Sequence, residues 1–564
     1  MIQNIMDSVR SSIRGSVEAA IGRLRELGEL PPEAAPSVLL EVPKDTKFGE
    51  FATPVAMLLA KPARKAPRDI AALIVRELMG AENRGYIESA EIAGPGFINF
   101  TLSRRWLSEA VELIRTMGAK YGESDYGQGE KVLVEFVSAN PVGPLNVVNA
   151  RAAAVGDSLV RLLRAAGYSA SSEFYVNDAG NQVGVLTESV YARYMELTGV
   201  DCPFPEDGYR GEYVRDVARA AAREAGARLS AMSPEQAREF LREFALSYML
   251  RSQSEALARY GVRFDRWFSE RELRATGAVE TMLQEMEAAG NTYQAEGATW
   301  FRSSAFGDDK DRVLVKSDGF YTYVAPDLAY HRDKIARGFV KLIDILGPDH
   351  HGYEGRMQAG LKSFGCPDGT LEVIILQLVT LMREGQPVKM SKRAGEFITI
   401  DDLLEEVPSD AARYFFIMRN TSSHLEFDLD LARAQTMDNP VWYIQYAHAR
   451  ACSIFRQAES TGIEDRSWNE ADLSLLASPR EEELIRKMAA FPDEVLGAAI
   501  ERAPSRIARY ALELAGLFQS FYTDCRVIGE DDGLTRSRLA LVDAARTVLA
   551  SVLHVMGVGA PERM

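Results

Sequence analysis

Residues 131–151 read KVLVEFVSANPVGPLNVVNAR. Lys131 to Val137 is rich in β-branched residues and predicts a strand. The segment Ser138-Ala139-Asn140-Pro141-Val142-Gly143-Pro144 breaks the chain, and a helical pattern runs from about Asn146 to Ala166. Strand, Pro/Gly loop and helix predict an α/β unit whose helix N-terminus is available to bind phosphate. Further strand-like segments at 171–176, 312–316, 320–324, 341–346 and 371–379 alternate with helical ones. This rhythm predicts a doubly wound parallel sheet with ligands at the carboxyl ends of its strands. A helical stretch at about 206–260 interrupts the rhythm and reads as an insertion between the sheet halves.

Far downstream, Lys389-Met390-Ser391-Lys392-Arg393 follows an apolar run, Leu371 to Val379, and a turn, Glu384-Gly385-Gln386-Pro387. Two ammonium groups on a loop suit a polyanion whose charge grows during reaction, such as a nucleoside triphosphate losing pyrophosphate. A solvated basic loop is the plain alternative. Residues 1–105 mix helices with strand-like segments near 37–42 and 88–102. From residue 402 the pattern is helical, with periodic stretches at 430–459, 480–496, 502–524 and 534–556 long enough for a bundle.

At 564 residues the chain exceeds one ordinary domain. With 46% apolar and 26% charged residues it has the composition of a soluble globular protein. No apolar run approaches the roughly 20 residues that span a bilayer, and the N-terminus lacks a signal-peptide core. A cytoplasmic protein without membrane contact is expected. Cys202, Cys366, Cys452 and Cys525 are dispersed, which speaks against a zinc site or a disulfide framework. The net charge of −16 does not look like that of a nucleic-acid binder. Binding is decided by local patches, however, and Arg151, Arg161 and Arg164 are candidates for one, with ordinary solvated residues as the alternative.

The strand–loop–helix with KMSKR downstream resembles a class I aminoacyl-tRNA synthetase. SANPVGPLNVVNAR is similar to the arginyl-tRNA synthetase form of the class I HIGH element, SANPTGPLHVGHAR. The stretches AGPGFINF (93–100), FYVNDAGNQ (174–182), FYTYVAPDLAYHRDK (320–334), GPDHHGY (347–353), KMSKRAGE (389–396) and DNPVWYIQYAHAR (438–450) resemble that family as well, in order along the chain. The resemblance implies a multidomain α/β plus all-α protein. It would have a small N-terminal α/β domain (1–105) that contacts tRNA and a Rossmann-like catalytic domain (125–400) with the helical insertion. A C-terminal helical bundle (402–564) would bind the anticodon.

The resemblance implies ATP-dependent activation of L-arginine to arginyl adenylate, then transfer to the 3′ end of tRNA(Arg), by an enzyme expected to be a monomer. Magnesium would accompany ATP, with no dedicated metal cluster in the chain. Lys389 and Lys392 would clamp the leaving phosphates and Ser391 would help hold the loop. Tyr323 and Asp327 are implied ligands of the arginine side chain, since a carboxylate pairs bidentately with a guanidinium. Asp327 read by itself, after a proline, is a helix-cap residue. Asn140, Glu173 and Asn177 would complete the arginine pocket. His350 and His351 are implied on the ATP side. Trp442 and Tyr446 are candidates for stacking on tRNA bases, with core packing as the plain alternative.

One departure stands out. Where the family has His-X-Gly-His, this chain has Asn146-Val147-Val148-Asn149. Asparagine keeps a neutral N–H donor but carries no charge, and Val148 adds bulk where the family's glycine lets adenine approach the backbone. Two readings stay open: a working ligase with an unusual ATP element, or an impaired paralogue that binds arginine or tRNA.

Overall fold

The computed structural model describes residues 4–564 except 34–36, 44, 46–47, 82–83, 351, 389–397, 464–466 and 530. The chain opens with helix α1 (Ile5–Glu26), strand β1 (Phe51–Thr53), helices α2 (Val55–Ala63) and α3 (Pro67–Gly80), and the hairpin β2 (Ile87–Ala93) and β3 (Phe97–Leu102). The three strands form an antiparallel sheet in the order β1-β3-β2. The apolar stripe of α1, Ile5, Val9, Ile13, Val17, Ile21 and Leu24, faces inward at helical spacing. The strand expected at 37–42 is reduced to a single bridge between Glu41 and Ala52.

Helix α4 (Arg105–Met117) leads into β4 (Lys131–Glu135), α5 (Val147–Ala165), β5 (Ser169–Val176) and α6 (Asn181–Thr198). Then come α7 (Glu212–Ala225), α8 (Ala227–Ser230), α9 (Pro234–Arg259), β6 (Arg266–Ser269), α10 (Glu270–Ala275) and α11 (Ala278–Ala288). After β7 (Thr292–Ala295), β8 (Ala298–Phe301) and β9 (Arg312–Val315), the chain forms α12 (Val324–Ala336), β10 (Lys341–Leu346), α13 (Tyr353–Ser363) and β11 (Leu371–Ile375). The hairpin β12 (Val379–Arg383) and β13 (Gln386–Pro387) follows, then α14 (Ile400–Glu406), α15 (Ser409–Ile417), β14 (Leu425–Asp428) and α16 (Leu429–Arg433).

The central sheet is five-stranded and parallel, in the order β11-β10-β4-β5-β6. The order reverses at β4, between β5 on one side and β10 on the other, and the crevice at the strand ends there is where doubly wound sheets hold ligands. Helix α5 lies very close to this point. A Cβ on Gly156 would come 2.2 Å from the Phe136 ring, so only glycine permits the approach.

Several sequence expectations are corrected. Residues 312–316 do not join the parallel sheet; β9 pairs antiparallel with β8 in a separate small sheet. Residues 320–324 form no named strand and lead into α12, with one bridge from Tyr321 to Val315. The run 371–379 is split, because β11 ends at Ile375 and β12 belongs to another sheet.

The C-terminal part is helical: α17 (Pro440–Ser460), α18 (Pro479–Ala489), α19 (Phe491–Ile500), α20 (Pro504–Asp524) and α21 (Asp532–Met556). Helix α21 is apolar and long enough to cross a membrane, but most of it is buried among the other helices as the bundle's core. Its carboxyl end is tied to the sheet domain. Buried Arg413 of α15 donates to Asp157 of α5 at 2.5 Å and to the Met556 carbonyl at 3.2 Å, and the Ser158 hydroxyl donates to the same carbonyl.

Candidate active site

Three carboxylates stand in one transverse row of the sheet. Asp344 on β10 is in register with Glu135 on β4, and Glu135 with Glu173 on β5. All three are buried, and buried carboxylates need partners. Helix α12 provides them at helical spacing. Lys334, fully buried, donates to Glu135 at 2.6 Å and to Asp344 at 3.0 Å. His331 spans from the Asp327 carbonyl oxygen (Nδ1, 2.8 Å) to Asp344 (Nε2, 3.0 Å). Arg337, just past the helix, grips Glu173 bidentately at 2.6 and 2.8 Å, and the Tyr330 hydroxyl adds a third bond at 2.7 Å.

This arrangement separates the expected arginine ligands. Glu173 has no exposed side-chain surface, and both its oxygens are taken by the chain's own Arg337, so it is not presented to a ligand. Asp327 is different. It sits in the first turn of α12, whose N-cap is Tyr323, and makes no cap bond, which removes the helix-cap reading. Its carboxyl is pushed up to about 8, by burial first and then by Glu270 and Glu135, while Lys334 and Arg356 pull the other way. Among the described residues no cation pairs with it directly. Asp327 also acts on Tyr175 of β5 and Tyr353 of α13, whose hydroxyls are pushed up chiefly by burial. Two tyrosines thus feel a carboxyl group that has no ion-pair partner among the described residues.

Glu135 and Glu270 were not picked out in the sequence. The signal lay in strand register and in Glu270 standing where β6 passes into α10, and neither is visible in a linear reading. Tyr323 is exposed at 77%. Asn140 donates to Gln182 at 2.8 Å, and its carbonyl accepts from Gln253. Asn177 keeps a buried Oδ1 with no partner among the described residues, an acceptor left open beside the site.

The loop between β4 and α5 is unusual. Val137 and Ser138 both have positive φ, 70° and 40°, a conformation that costs non-glycine residues about 1–3 kcal/mol. Ser138 is held by donating to Glu135 at 2.9 Å and accepting from the Tyr175 N–H at 3.1 Å. The loop ends at Asn146, the N-cap of α5. Its Oδ1 accepts from the N–H groups of Val148 (2.9 Å) and Asn149 (3.2 Å), and Asn149 Oδ1 accepts from the N–H of Asn146 (3.0 Å). The pair is a reciprocal capping box.

The helix N-terminus is therefore not open to phosphate as expected. The Val147 N–H is also used, bonding to the Ile398 carbonyl at 3.2 Å, while the Ile400 N–H bonds to the Leu145 carbonyl at 2.8 Å. The donors that remain are the two side-chain amides. Neither Asn146 Nδ2 nor Asn149 Nδ2 has a protein partner among the described residues.

The bonds from 398 and 400 tie the exit of the lysine segment to the start of α5. Lys389, Ser391 and Lys392 lie outside the described residues, as does His351. The turn before them forms as expected, with Glu384 and Gly385 at positive φ joining β12 to β13. His350 is exposed on a short turn. Arg151 is corrected from a surface candidate to a buried residue. It donates to the carbonyls of Gln377 (2.6 Å), Leu378 (3.4 Å), Asn420 (3.1 Å) and Ser423 (3.1 Å), and burial pulls its guanidinium down to about 10. Arg161 and Arg164 pair with Asp157 and Asp265. On α17, Trp442 and Tyr446 are half-buried, and Arg450 lies between the rings of Tyr446 (4.6 Å) and Tyr522 (4.7 Å).

Comparison with known proteins gives a consistent picture. Residues 8–102 match the arginyl tRNA synthetase N terminal domain, residues 111–435 the catalytic domain of tRNA synthetases class I (R), and residues 444–564 the DALR anticodon binding domain. The arginine–tRNA ligase of Symbiobacterium thermophilum is 50% identical over 561 residues, covering 99% of this chain and all of the relative. That of Moorella thermoacetica is 47% identical over the full length of both. The fold is similar to that of Thermus thermophilus arginyl-tRNA synthetase, with a TM-score of 0.72 at 23% identity, covering 98% of this chain and all of the other.

Proposed function

We infer the division of labour in the site from one premise: the chain belongs to the arginyl-tRNA synthetase family. Its activity is the ATP-dependent ligation of arginine to tRNA. An impaired, binding-only chain finds no support among the relatives. Activation joins the arginine carboxylate to the α-phosphorus of ATP and expels pyrophosphate; the terminal ribose hydroxyl of tRNA then takes the arginyl group. Neither step needs a covalent enzyme nucleophile, so the protein works by positioning reactants and stabilising charge.

The observation that carries the arginine assignment is Asp327, a carboxyl group under pressure from Glu270 and Glu135 with no direct counter-ion. A guanidinium supplies the missing positive charge and can pair with a carboxylate bidentately. Asp327 is the principal ligand in this account, with Glu270 and Glu135 setting the field. Tyr323 closes over the side chain from its exposed position, and Asn140 and Asn177 serve the amino-acid end. Glu173 acts from behind, by fixing Arg337 and Tyr330.

On the ATP side, Asn146 and Asn149 donate from Nδ2 to phosphate oxygens while their carbonyls hold the helix cap. Val148 borders the adenine, with His350 and His351 on the ribose side. Lys389 and Lys392 neutralise the departing pyrophosphate, with Ser391 steadying their loop. Magnesium enters with the ATP phosphates; among the described residues no group of His, Cys, Asp or Glu is arranged to hold a metal. Trp442 and Tyr446 meet tRNA bases. The boundaries 1–105, 125–400 and 402–564, a cytoplasmic location and a monomeric state complete the reading.

The test is Asp327→Ala in arginine-dependent ATP–pyrophosphate exchange with cognate tRNA present. The KM for arginine should rise by about 100-fold or more, and an unchanged KM would refute the assignment. Lys392→Ala should lower kcat for activation far more than it weakens arginine binding.

A further inference from the structure

Lys334 makes none of the contacts assigned to substrate above, yet it is a fully enclosed cation near the site. It has no exposed surface, and its ammonium touches Glu135 at 2.6 Å and Asp344 at 3.0 Å, with the Tyr330 ring centroid 4.3 Å away. Burying an ammonium is costly unless it is fully paired, and this one is paired from two strands. Its link continues outward. Glu135 accepts from Ser138, and Ser138 accepts from the backbone of Tyr175. The chain Asp344–Lys334–Glu135–Ser138–Tyr175 therefore anchors the strained turn at Val137 and Ser138. That turn starts the loop carrying Asn140 and ending at the Asn146 cap.

We propose that Lys334 is a positioning residue of the arginine site: it holds the Glu135 carboxylate in place and offsets the charge that Glu135 sets against Asp327. This rests on the reading that Asp327 binds arginine. Asp327 is faced by Glu270 from the start of α10, Glu135 from β4, Lys334 from its own helix and Arg356 from α13, with Tyr175 and Tyr353 beside it. Glu135 acts against ionisation of Asp327 and Lys334 acts for it. Removing Lys334 alone leaves Glu135 and Asp344 uncompensated. Removing Lys334 and Glu135 together removes both opposing influences.

The experiment measures the pH dependence of arginine binding by calorimetry, and of the KM for arginine and for ATP in exchange, for wild type, Lys334→Met, Glu135→Gln and the double variant. Circular dichroism monitors folding. Lys334→Met should weaken arginine by about tenfold or more near pH 7.5 and move the rising limb of the pH profile upward by about one unit. Its KM for ATP should change less than about threefold. Glu135→Gln should move the limb downward, and the double variant should return it to near the wild-type position. Should Lys334→Met fail to fold, the double variant, which buries no unpaired Glu135 charge, still tests the proposal against Glu135→Gln. Folded variants whose pH limbs coincide with wild type would overturn the role of Lys334. Wild type that binds no arginine at any pH would instead overturn the pocket assignment itself.

Discussion

The side chains of Asn146 and Asn149 close on each other's backbone: Asn149 Oδ1 accepts from the Asn146 N–H at 3.0 Å, and Asn146 Oδ1 from the Asn149 N–H at 3.2 Å. This reciprocal cap starts α5, the helix that runs from the loop at the sheet's switch point to the Arg413 junction with α21. The two asparagines therefore serve the backbone first. They build a helix cap and leave two side-chain amide donors.

Asn149→Ala should therefore act twice. Losing one half of the box should cost about 1 kcal/mol of stability, seen in urea unfolding. Losing one phosphate donor should lower kcat for activation by about 10²-fold, far more than that stability loss explains. A variant with lower stability and unchanged kcat would make Asn149 purely a cap residue.

Asp327→Asn separates binding from folding. The raised carboxyl means that the native state holds a proton which the unfolded chain has lost. By linkage, this group lowers stability progressively between about pH 4 and about pH 8. Asparagine removes that loss. At pH 8 the variant's Tm should equal or exceed wild type, while its KM for arginine rises about 100-fold. A lower Tm with normal KM would reverse the argument.

The pH dependence of arginine binding follows from the same group. Below about 8 the Asp327 carboxyl is protonated and neutral. Guanidinium binding favours the ionised form, so binding expels a proton. Affinity should rise by up to about tenfold per unit from pH 6 to 7.5 and level off above about 8.5. Calorimetry in buffers of different ionisation heat at pH 7 should show close to one proton released per arginine, about 0.9 for full ionisation in the complex. Zero release would mean that Asp327 is not the group that titrates.

Arg151→Met tests the buried guanidinium. The carbonyls of Gln377 and Ser423 would lose their donor, while those of Leu378 and Asn420 keep the N–H groups of Leu425 and Ser423; each buried acceptor left unsatisfied costs about 1–3 kcal/mol. A loss of about 3 kcal/mol or more is expected in urea unfolding. Arg151→Lys should recover only part of it, because an ammonium cannot span four acceptors in two segments.

Much of this was legible in the sequence where the signal is local. The run Lys341 to Leu346 is the observed strand β10, and the Pro/Gly loop before α5 and the turn at 384–387 formed as read. Readings failed where partners decide. The short β6 (RWFS) carries no apolar run and is a strand only because β5 pairs with it. The helical run 430–459 is broken by Asp438-Asn439-Pro440, and that at 480–496 by Pro492, since proline is accepted at the start of a new helix but not within one. Glu173 looked like a ligand because its motif is placed correctly. Only the register, with Arg337 arriving from past the end of α12, shows its oxygens already occupied. Arg151 looked solvent-facing because nothing in a linear reading announces four distant carbonyls.

The most direct test of the account is arginine-dependent ATP–pyrophosphate exchange with cognate tRNA, for wild type and for the Asn146→His/Val148→Gly/Asn149→His variant. Robust wild-type exchange, within about tenfold of the variant, is the predicted result: two asparagine amides on a capped helix, with the lysine loop, suffice for catalysis. No wild-type exchange, with activity appearing only in the variant, would contradict it.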